Sequence, residues 1–554
     1  MVAKKEGDDA VVSQNLPDDC SGIEMGETTR TTAALGEAAD IYGDVEIAQQ
    51  LGYVVRGLKA RHIQFIAIGG SVGTGLFLGI GGAFLKAGPL SVILGFTITG
   101  VAVHAMMNCL GEMTTWLPLP GAIPQYCARY VDPAMGFAVG WNIWYLSTVA
   151  ICVELIAAAV LVTFWNDSIN PAVWISILIV VILSLNVFAV SIYGEAEFVF
   201  AAIKILAIIG LLLMAFIVDL GGSPTGDRLG FRYWYNPGPV MKEVVATGPT
   251  GRFLGLWSTL VYAAFSYGGI EMVAVAAGEA ENPRRNIPRA IRRLIWRIVI
   301  FYILGSLGIS VLVPSDDARL ASASPWVLAA NNANIRVLPH IINAVILTSA
   351  SSSANAFLFV GSRYLFGLAQ NRQAPRIFLK CTATGVPIYG ICFTAMWTGL
   401  AYLSCSRGAA KAFQYFLSLG TVASLSTWCS ICVTYIRFRK ALAAQGISTK
   451  DLHFKSPFPP VAAWIALCFF LLVILFNGWE VFTRGNWSVQ TFITCYIGVP
   501  LYFAFYLFWK VFRRTKVVDP ATADIWTGKA ALDAEVWPEQ KPRNFLEKMW
   551  MWIV

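Results

Sequence analysis

Two short glycine-bearing runs carry most of the chemistry in this sequence. Residues 67–77 read AIGGSVGTGLF, placing Gly69, Gly70, Gly73 and Gly75 inside an apolar stretch. Residues 263–273 read AAFSYGGIEMV, with Gly268 and Gly269 adjacent. An interior glycine costs a helix about 1 kcal/mol relative to alanine, so both runs predict an interrupted helix. An interruption frees backbone groups. The N–H groups of Ser71–Gly75 then open a half-helix, carry partial positive charge and suit a carboxylate. The carbonyls near Ala264–Ser266 close another half-helix and suit an ammonium. A ligand with both groups a bond or two apart is an α-amino acid. A phosphate loop does not fit, because Leu76 stands where the GxxxxGK[ST] pattern needs lysine and no strand precedes the run. For a single run, glycines that allow close helix packing are the alternative; two matched runs favour the breaks.

The elements that must hold these runs are membrane spans. Of 554 residues 56% are hydrophobic and 13% charged, against about 25% charged in a soluble domain. About twelve apolar segments approach the roughly 20 residues a spanning helix needs, near 62–84, 89–112, 133–163, 172–192, 196–218, 253–278, 291–313, 338–368, 386–405, 411–437, 461–478 and 490–512. The interrupted segments are the first and the sixth. Breaks five spans apart indicate an inverted repeat with substrate held between the halves, here 62–218 and 253–437, followed by two additional helices at 461–512. The expected architecture is an all-α membrane protein. Lipid-exposed unpaired backbone is excluded from the bilayer core, so each break must line a cavity.

Orientation follows the basic loops. Arg284, Arg285, Arg289, Arg292 and Arg293 follow span six, Arg372, Arg376 and Lys380 follow span eight, and Arg437, Arg439 and Lys440 follow span ten. The positive-inside rule puts these loops, and both tails (1–57 and 513–554), in the cytoplasm. The long loop after span five is an exception, with Arg228, Arg232, Lys242 and Arg252. Residues 118–131 are too short and Pro-rich to span and are expected at the cytoplasmic face; 315–336 are expected to hold short outer helices. The net charge of +8 reflects these loops rather than nucleic-acid binding. The first fifty residues hold eleven acidic residues against three basic ones, a composition that reads as a disordered tail. The eleven cysteines are scattered, and the Cys429–Cys432 pair lies in an apolar span, so no metal or redox site is expected.

Ionisable residues inside spans are costly and are functional candidates. Glu154 lies in span three, Lys204 in span five and Glu271 just past the sixth-span break. Glu154 suits substrate-ammonium contact, proton carriage or a structural ion pair. Glu112, Glu279 and Arg284–Arg285 suit gate electrostatics at the inner face. Beyond Lys204 and Arg363 the spans show no further central cation, which leaves neutral substrates open alongside acidic ones.

The run LKARHIQFIAIGGSVGTGLFLG resembles the first span of fungal amino acid permeases, the yeast-type branch of the amino acid–polyamine–organocation superfamily. The resemblance continues through AGPL, LGEM, VELIAAAVLVTFW, YGEAEFVFAAIKILAIIG, FRYWYNPG, AGEAENPRRNIPRAI and NAVILTSASSSANAFLFVGSRYLFGLAQNRQAP, from Leu58 to Arg439. FRYWYNPG and the tail AEVWPEQKPRNFLEKMW are most similar to the dicarboxylic amino acid permease subgroup. The resemblance implies a LeuT-like fold and proton-coupled uptake of amino acids across the plasma membrane, without a cofactor or enzymatic activity. It assigns Gly70, Ser71, Gly73, Thr74 and Gly75 to the substrate carboxylate. Ala264, Phe265, Ser266 and Gly268 then surround the ammonium and close over it. In that fold Lys204 stands where sodium-coupled relatives bind a cation, which points to proton coupling with Glu154 and Glu271. Side chains expected to face the centre and set selectivity are Ser147, Thr148, Ile151, Ser351, Asn355, Thr421 and Ser424. An exchanger or exporter of the same fold, or a nutrient sensor, is the rival reading. Lys4 and Lys5 are candidate ubiquitination sites.

Overall fold

The computed structural model describes residues 73–527 and 529, apart from 120, 189, 277–282, 322 and 383–384. The acidic tail with Lys4 and Lys5, the run Gly69–Val72, Glu279 and residues 531–554 lie outside the described residues. Among the described residues the structure is helical, without strands.

The first helix, α1 (Gly75–Ala87), opens with a π-helical turn at Gly75–Gly79 directly after the first glycine run. It is followed by α2 (Pro89–Trp116), the short α3 (Ala122–Tyr130), α4 (Pro133–Val162), α5 (Pro171–Val187) and α6 (Val190–Asp219). The second half begins with α7 (Gly248–Ser266) and α8 (Met272–Ala276), then α9 (Arg284–Leu312), α10 (Leu338–Gln370), α11 (Ile388–Leu403) and α12 (Ala409–Ala444). The last helices are α13 (Val461–Leu475) and the pair α14 (Val489–Tyr496) and α15 (Gly498–Arg513), bent by 47°. The described parts of the expected apolar segments lie on these helices or helix pairs. Six helices are long and apolar enough to cross a membrane on their own. The expected surface elements also form: α3, and short helices at Ala318–Ala321 and Pro325–Asn332.

Local chemistry sets the helix starts. In Asp132-Pro133 and Asn170-Pro171, the first side chain accepts the N–H two residues on, at 2.8 and 2.9 Å, and proline takes the first helical turn, where its missing donor costs nothing. From Asp132, α4 runs 30 residues, about 45 Å at 1.5 Å per residue. It is the central post: 83% of its apolar window is buried, against 39% for α6. Helices α10 and α12 pack along α4, α7 packs along α2, and α15 closes over the N-terminal end of α4. Leu206, Leu213 and Phe216 point outward from α6, as a lipid-facing flank requires.

Two loops differ from a plain reading of their composition. The long outer loop breaks the charge rule because its cations have local work. Lys242 donates to the carbonyls of Leu85 and Ser315 at 2.9 and 2.7 Å, tying off the last turn of α1. Arg252 pairs with Glu243, and Arg232 with Asp227. The described part of the C-terminal segment, expected as a tail from residue 513, lies docked against the ends of α2, α3 and α12. Trp116 donates its indole N–H to the Ile525 carbonyl at 3.0 Å, and Gln445 donates to Ala523 at 2.8 Å. The Val518 N–H reaches the Val131 carbonyl at 2.8 Å, while Arg437 donates to the Val518 carbonyl. Arg129 pairs with Asp524 at 3.1 Å. Ile525 is fully buried.

Candidate functional site

The two glycine runs meet. The half-helix α1 starts beside Ser266, the last residue of α7, and a Cβ on Gly75 would come within 2.9 Å of the Ser266 Cα. A Cβ on Gly73 would overlap the Glu154 carboxylate and lie 3.0 Å from the Ser353 hydroxyl. Bare backbone is needed at both positions because neighbouring helices occupy the space. The Thr74 N–H points at the Glu154 carboxylate, 3.3 Å from each oxygen. A carboxylate therefore already sits at the opening of this half-helix, where the backbone dipole favours an anion.

The sixth-span break is a tight, well-bonded turn. Gly269 takes φ +86°, open to glycine, and separates α7 from α8. The carbonyls that close α7 are partly used: Ala263 accepts from the Tyr267 N–H at 3.0 Å, Phe265 from the Gly268 N–H at 2.9 Å, and Ser266 from the Tyr302 hydroxyl at 3.0 Å. A carbonyl has two lone pairs, so those of Ala263 and Ser266 retain one acceptor position, whereas Phe265 also accepts from the Tyr267 N–H. Past the turn, Glu271 accepts the Trp428 indole N–H at 3.1 Å.

Between the two glycine runs lies a small, tight cavity. Gly73, Gly75, Phe265, Ser266 and Gly268 line it from the breaks, Leu146, Ala150 and Glu154 from α4, Phe357 from α10 and Ser424 from α12. Glu154 is the ionisable side chain on this lining, and no Lys, Arg or His joins it among the described residues.

Behind the cavity wall sits a buried charge cluster. Lys204 on α6 donates to the Ser353 hydroxyl at 3.3 Å and has Glu197 and Glu154 as its charged neighbours. Glu197 accepts from Ser352 and from the Asn355 amide, each at 3.0 Å. Asn186 donates in turn to the Asn355 side-chain oxygen at 2.7 Å. Lys204 and Glu197 are almost completely inaccessible.

The residues expected from sequence divide clearly. Gly70 and Ser71 lie outside the described residues. Gly73, Gly75, Phe265, Ser266 and Gly268 reach the cavity; Thr74 and Ala264 are buried beside it, off the lining. Of the seven selectivity candidates, Ser424 alone lines the cavity. Ser147, Thr148, Ser351 and Thr421 turn their hydroxyls onto carbonyls three or four residues back, at 2.7–2.9 Å. Ile151 is core, and Asn355 holds Glu197. Arg363 stacks over Phe359, its guanidinium 3.6 Å from the ring centre, away from the cavity.

Sequence reasoning missed Glu197, Leu146, Ala150 and Phe357. Glu197 had a signal: it stands seven residues before Lys204, on the same helical face. At the inner face Glu112 is fully buried and accepts from Tyr435 at 2.9 Å, Arg439 at 2.8 Å and the Ser456 N–H at 2.8 Å. Glu112 thus forms a buried ion pair with Arg439.

A helical membrane bundle in which the start of α1 and the turn between α7 and α8 meet over a small central cavity has the LeuT-like transporter fold. The solved structure of a manganese transporter from Eremococcus coleocola is similar to it, with a TM-score of 0.52 at 14% identity, covering 82% of this chain and 94% of that one. At that identity the likeness speaks for the fold alone. The chain belongs to the amino acid permease family, whose pattern matches residues 62–520, and it is a transporter of amino acids, not an enzyme. It is 40% identical to a proline-specific permease of Emericella nidulans, over 97% of this chain and 100% of that relative. It is also 40% identical to the dicarboxylic amino acid permease of Saccharomyces cerevisiae, over 87% and 81%. To the lysine-specific permease of the same yeast it is 38% identical, over 90% and 82%.

Proposed function

We propose that this permease imports small neutral L-amino acids together with protons across the plasma membrane, with both termini in the cytoplasm. The observation that carries the reading is the cavity lining: two glycine breaks, Leu146, Ala150, Phe265 and Phe357, with Glu154 as the ionisable group and no cation among the described residues. A second substrate carboxylate would enter this cavity unpaired, and an unpaired charge away from water is costly. The substrate carboxylate is assigned to the Gly70–Gly75 backbone at the opening of α1. Its ammonium faces the free lone pairs closing α7 and the Glu154 carboxylate. Phe265 closes over the ligand, and Leu146 and Phe357 limit its side chain. Glu154, with Lys204 behind it, is the assigned proton-handling group. The names of the proline-specific relatives make proline the first probe.

The test is uptake of radiolabelled L-proline into permease-deficient yeast expressing the chain, with a panel of unlabelled amino acids as competitors. Proline and small neutral amino acids should compete, glutamate and lysine should not, and a proton uncoupler should abolish accumulation. Replacing Phe357 with alanine should admit larger apolar competitors. Competition by glutamate alone would reverse the substrate assignment. Uncoupler-insensitive uptake stimulated by internal substrate would make the protein an exchanger.

A further inference from the structure

The proposed proton coupling leaves the buried Glu197 without a role. Glu197 is fully inaccessible, does not line the cavity, and is held by two neutral donors, Ser352 and Asn355, at 3.0 Å each. Asn186 fixes the Asn355 amide by donating to its oxygen, so the amide presents its N–H₂ to Glu197. Donors built around a carboxylate favour its ionised form. Glu154 is placed differently. It belongs to the same charge cluster, yet it lines the cavity and, among the described residues, accepts the Thr74 N–H at a stretched 3.3 Å from each oxygen.

The charge count links the two. Two carboxylates face one ammonium, Lys204. With all three ionised the cluster carries one net negative charge, and an uncompensated buried charge is strongly unfavourable. One bound proton makes the cluster neutral. Among the described residues, no other charged side chain faces it from the elements packed on α6. Helix α5 carries no charged residue, and neither does the stretch 304–312 of α9. His340 and Arg363 on α10 lie ten or more residues from Ser352 and Ser353, roughly 15 Å along the helix. On α6 itself, Glu195 is exposed.

We infer that Glu197 is a positioning residue: the standing counter-charge of Lys204, clamped by Ser352, Asn355 and Asn186, which leaves Glu154 free to take and release the transported proton. An O–H bond forms on Glu154 when the cavity meets the outer solution, with hydronium as donor. It breaks when the cavity meets the inner solution, with water as acceptor. Glu197 and Lys204 keep their charges throughout. The inference rests on the proton-coupled reading above.

The experiment uses the full chain in liposomes, with radiolabelled L-proline and the trapped pH dye pyranine. In the wild type, acid outside should stimulate uptake and protons should enter with substrate. In Glu197→Gln, Lys204 and Glu154 form a pair that is neutral without a proton. Proline counterflow exchange should persist, while acid stimulation and the pyranine signal are lost; Glu197→Asp should restore both. A Glu197→Gln protein with the wild-type pH profile overturns the inference. So does one that folds but loses counterflow, because Glu197 would then act in binding. If Glu197→Gln does not purify as a monodisperse species, the double variant Glu197→Gln/Lys204→Gln decides: recovery supports the counter-charge role, and no recovery overturns it. A wild type that moves proline without protons, or moves no proline, defeats the proton-coupled reading. The double-variant comparison still judges Glu197 in that case.

Discussion

Gly73 shows how tightly this site is specified at single residues. It needs no special backbone angle; its missing side chain leaves room for the Glu154 carboxylate and the Ser353 hydroxyl. Gly73→Ala should push Glu154 off the Thr74 N–H. Overpacking of this kind costs about 1–3 kcal/mol, so uptake per transporter at the cell surface should fall roughly ten- to a hundredfold at 1.4 kcal/mol per tenfold. Uptake within twofold of wild type, at matched surface expression, would contradict the geometry. That glycine was legible in the sequence, and so were Gly75 and Gly268, because a break must be built from residues that tolerate one. The selectivity wall was not. Ser147 and Thr148 looked like polar groups for a ligand, but their hydroxyls are satisfied within their own helix, and the neighbouring apolar positions 146 and 150 reach the cavity.

At the scale of elements, the inner face is joined by a chain segment whose role its composition hides. Residues 515–527 connect the end of α2 through Trp116, α3 through Arg129, and the end of α12 through Arg437 and Gln445. Ile525 is its buried anchor. Ile525→Ala removes that anchor at a cost of about 2–4 kcal/mol, and should expose the segment to limited proteolysis while α1–α15 stay intact; an unchanged cleavage pattern would show that the docking does not depend on it. Asp132, at the foot of α4, holds the start of this segment by accepting from Thr515 at 2.7 Å and from Lys510. Burial works against its charge, but the hydrogen bonds from Lys510, the Ala134 N–H and Thr515, with the charge of Lys510, hold its carboxyl below the ordinary value of 3.8. A lowered carboxyl contributes stability that is present above its unfolded value and lost as pH falls through the folded one. Cleavage should therefore be flat from pH 7 down to that value and rise only in stronger acid. Loss of protection already near pH 6 would point to another group.

For the whole molecule, the prediction concerns orientation. With Cys392, Cys405 and Cys468 replaced by serine to remove exposed thiols, a cysteine at Thr225 should react with a membrane-impermeant maleimide in intact cells. A cysteine at Thr449 should react only after permeabilisation. The reverse pattern would invert the topology that the basic loops indicate. The basic loops indicate this topology with one exception, the loop after span five, where Lys242 caps the end of α1 with its ammonium.

The sequence by itself determined the helical membrane class, the turn at Gly268–Gly269 and the family. Those follow from local quantities: runs of apolar residues long enough to cross a bilayer, glycines that weaken a helix, and ordered motifs. Only the tertiary structure decided which side chains meet. Glu197 and Asn355 are 158 positions apart, and Thr74 and Glu154 are 80 apart. A buried charge is made tolerable by partners from other helices, and a cavity wall by whichever face its neighbours leave uncovered. Neither is a property of any one segment, so the glycine runs could be read as a binding site before folding, and Glu197 could not be read as the partner of Lys204.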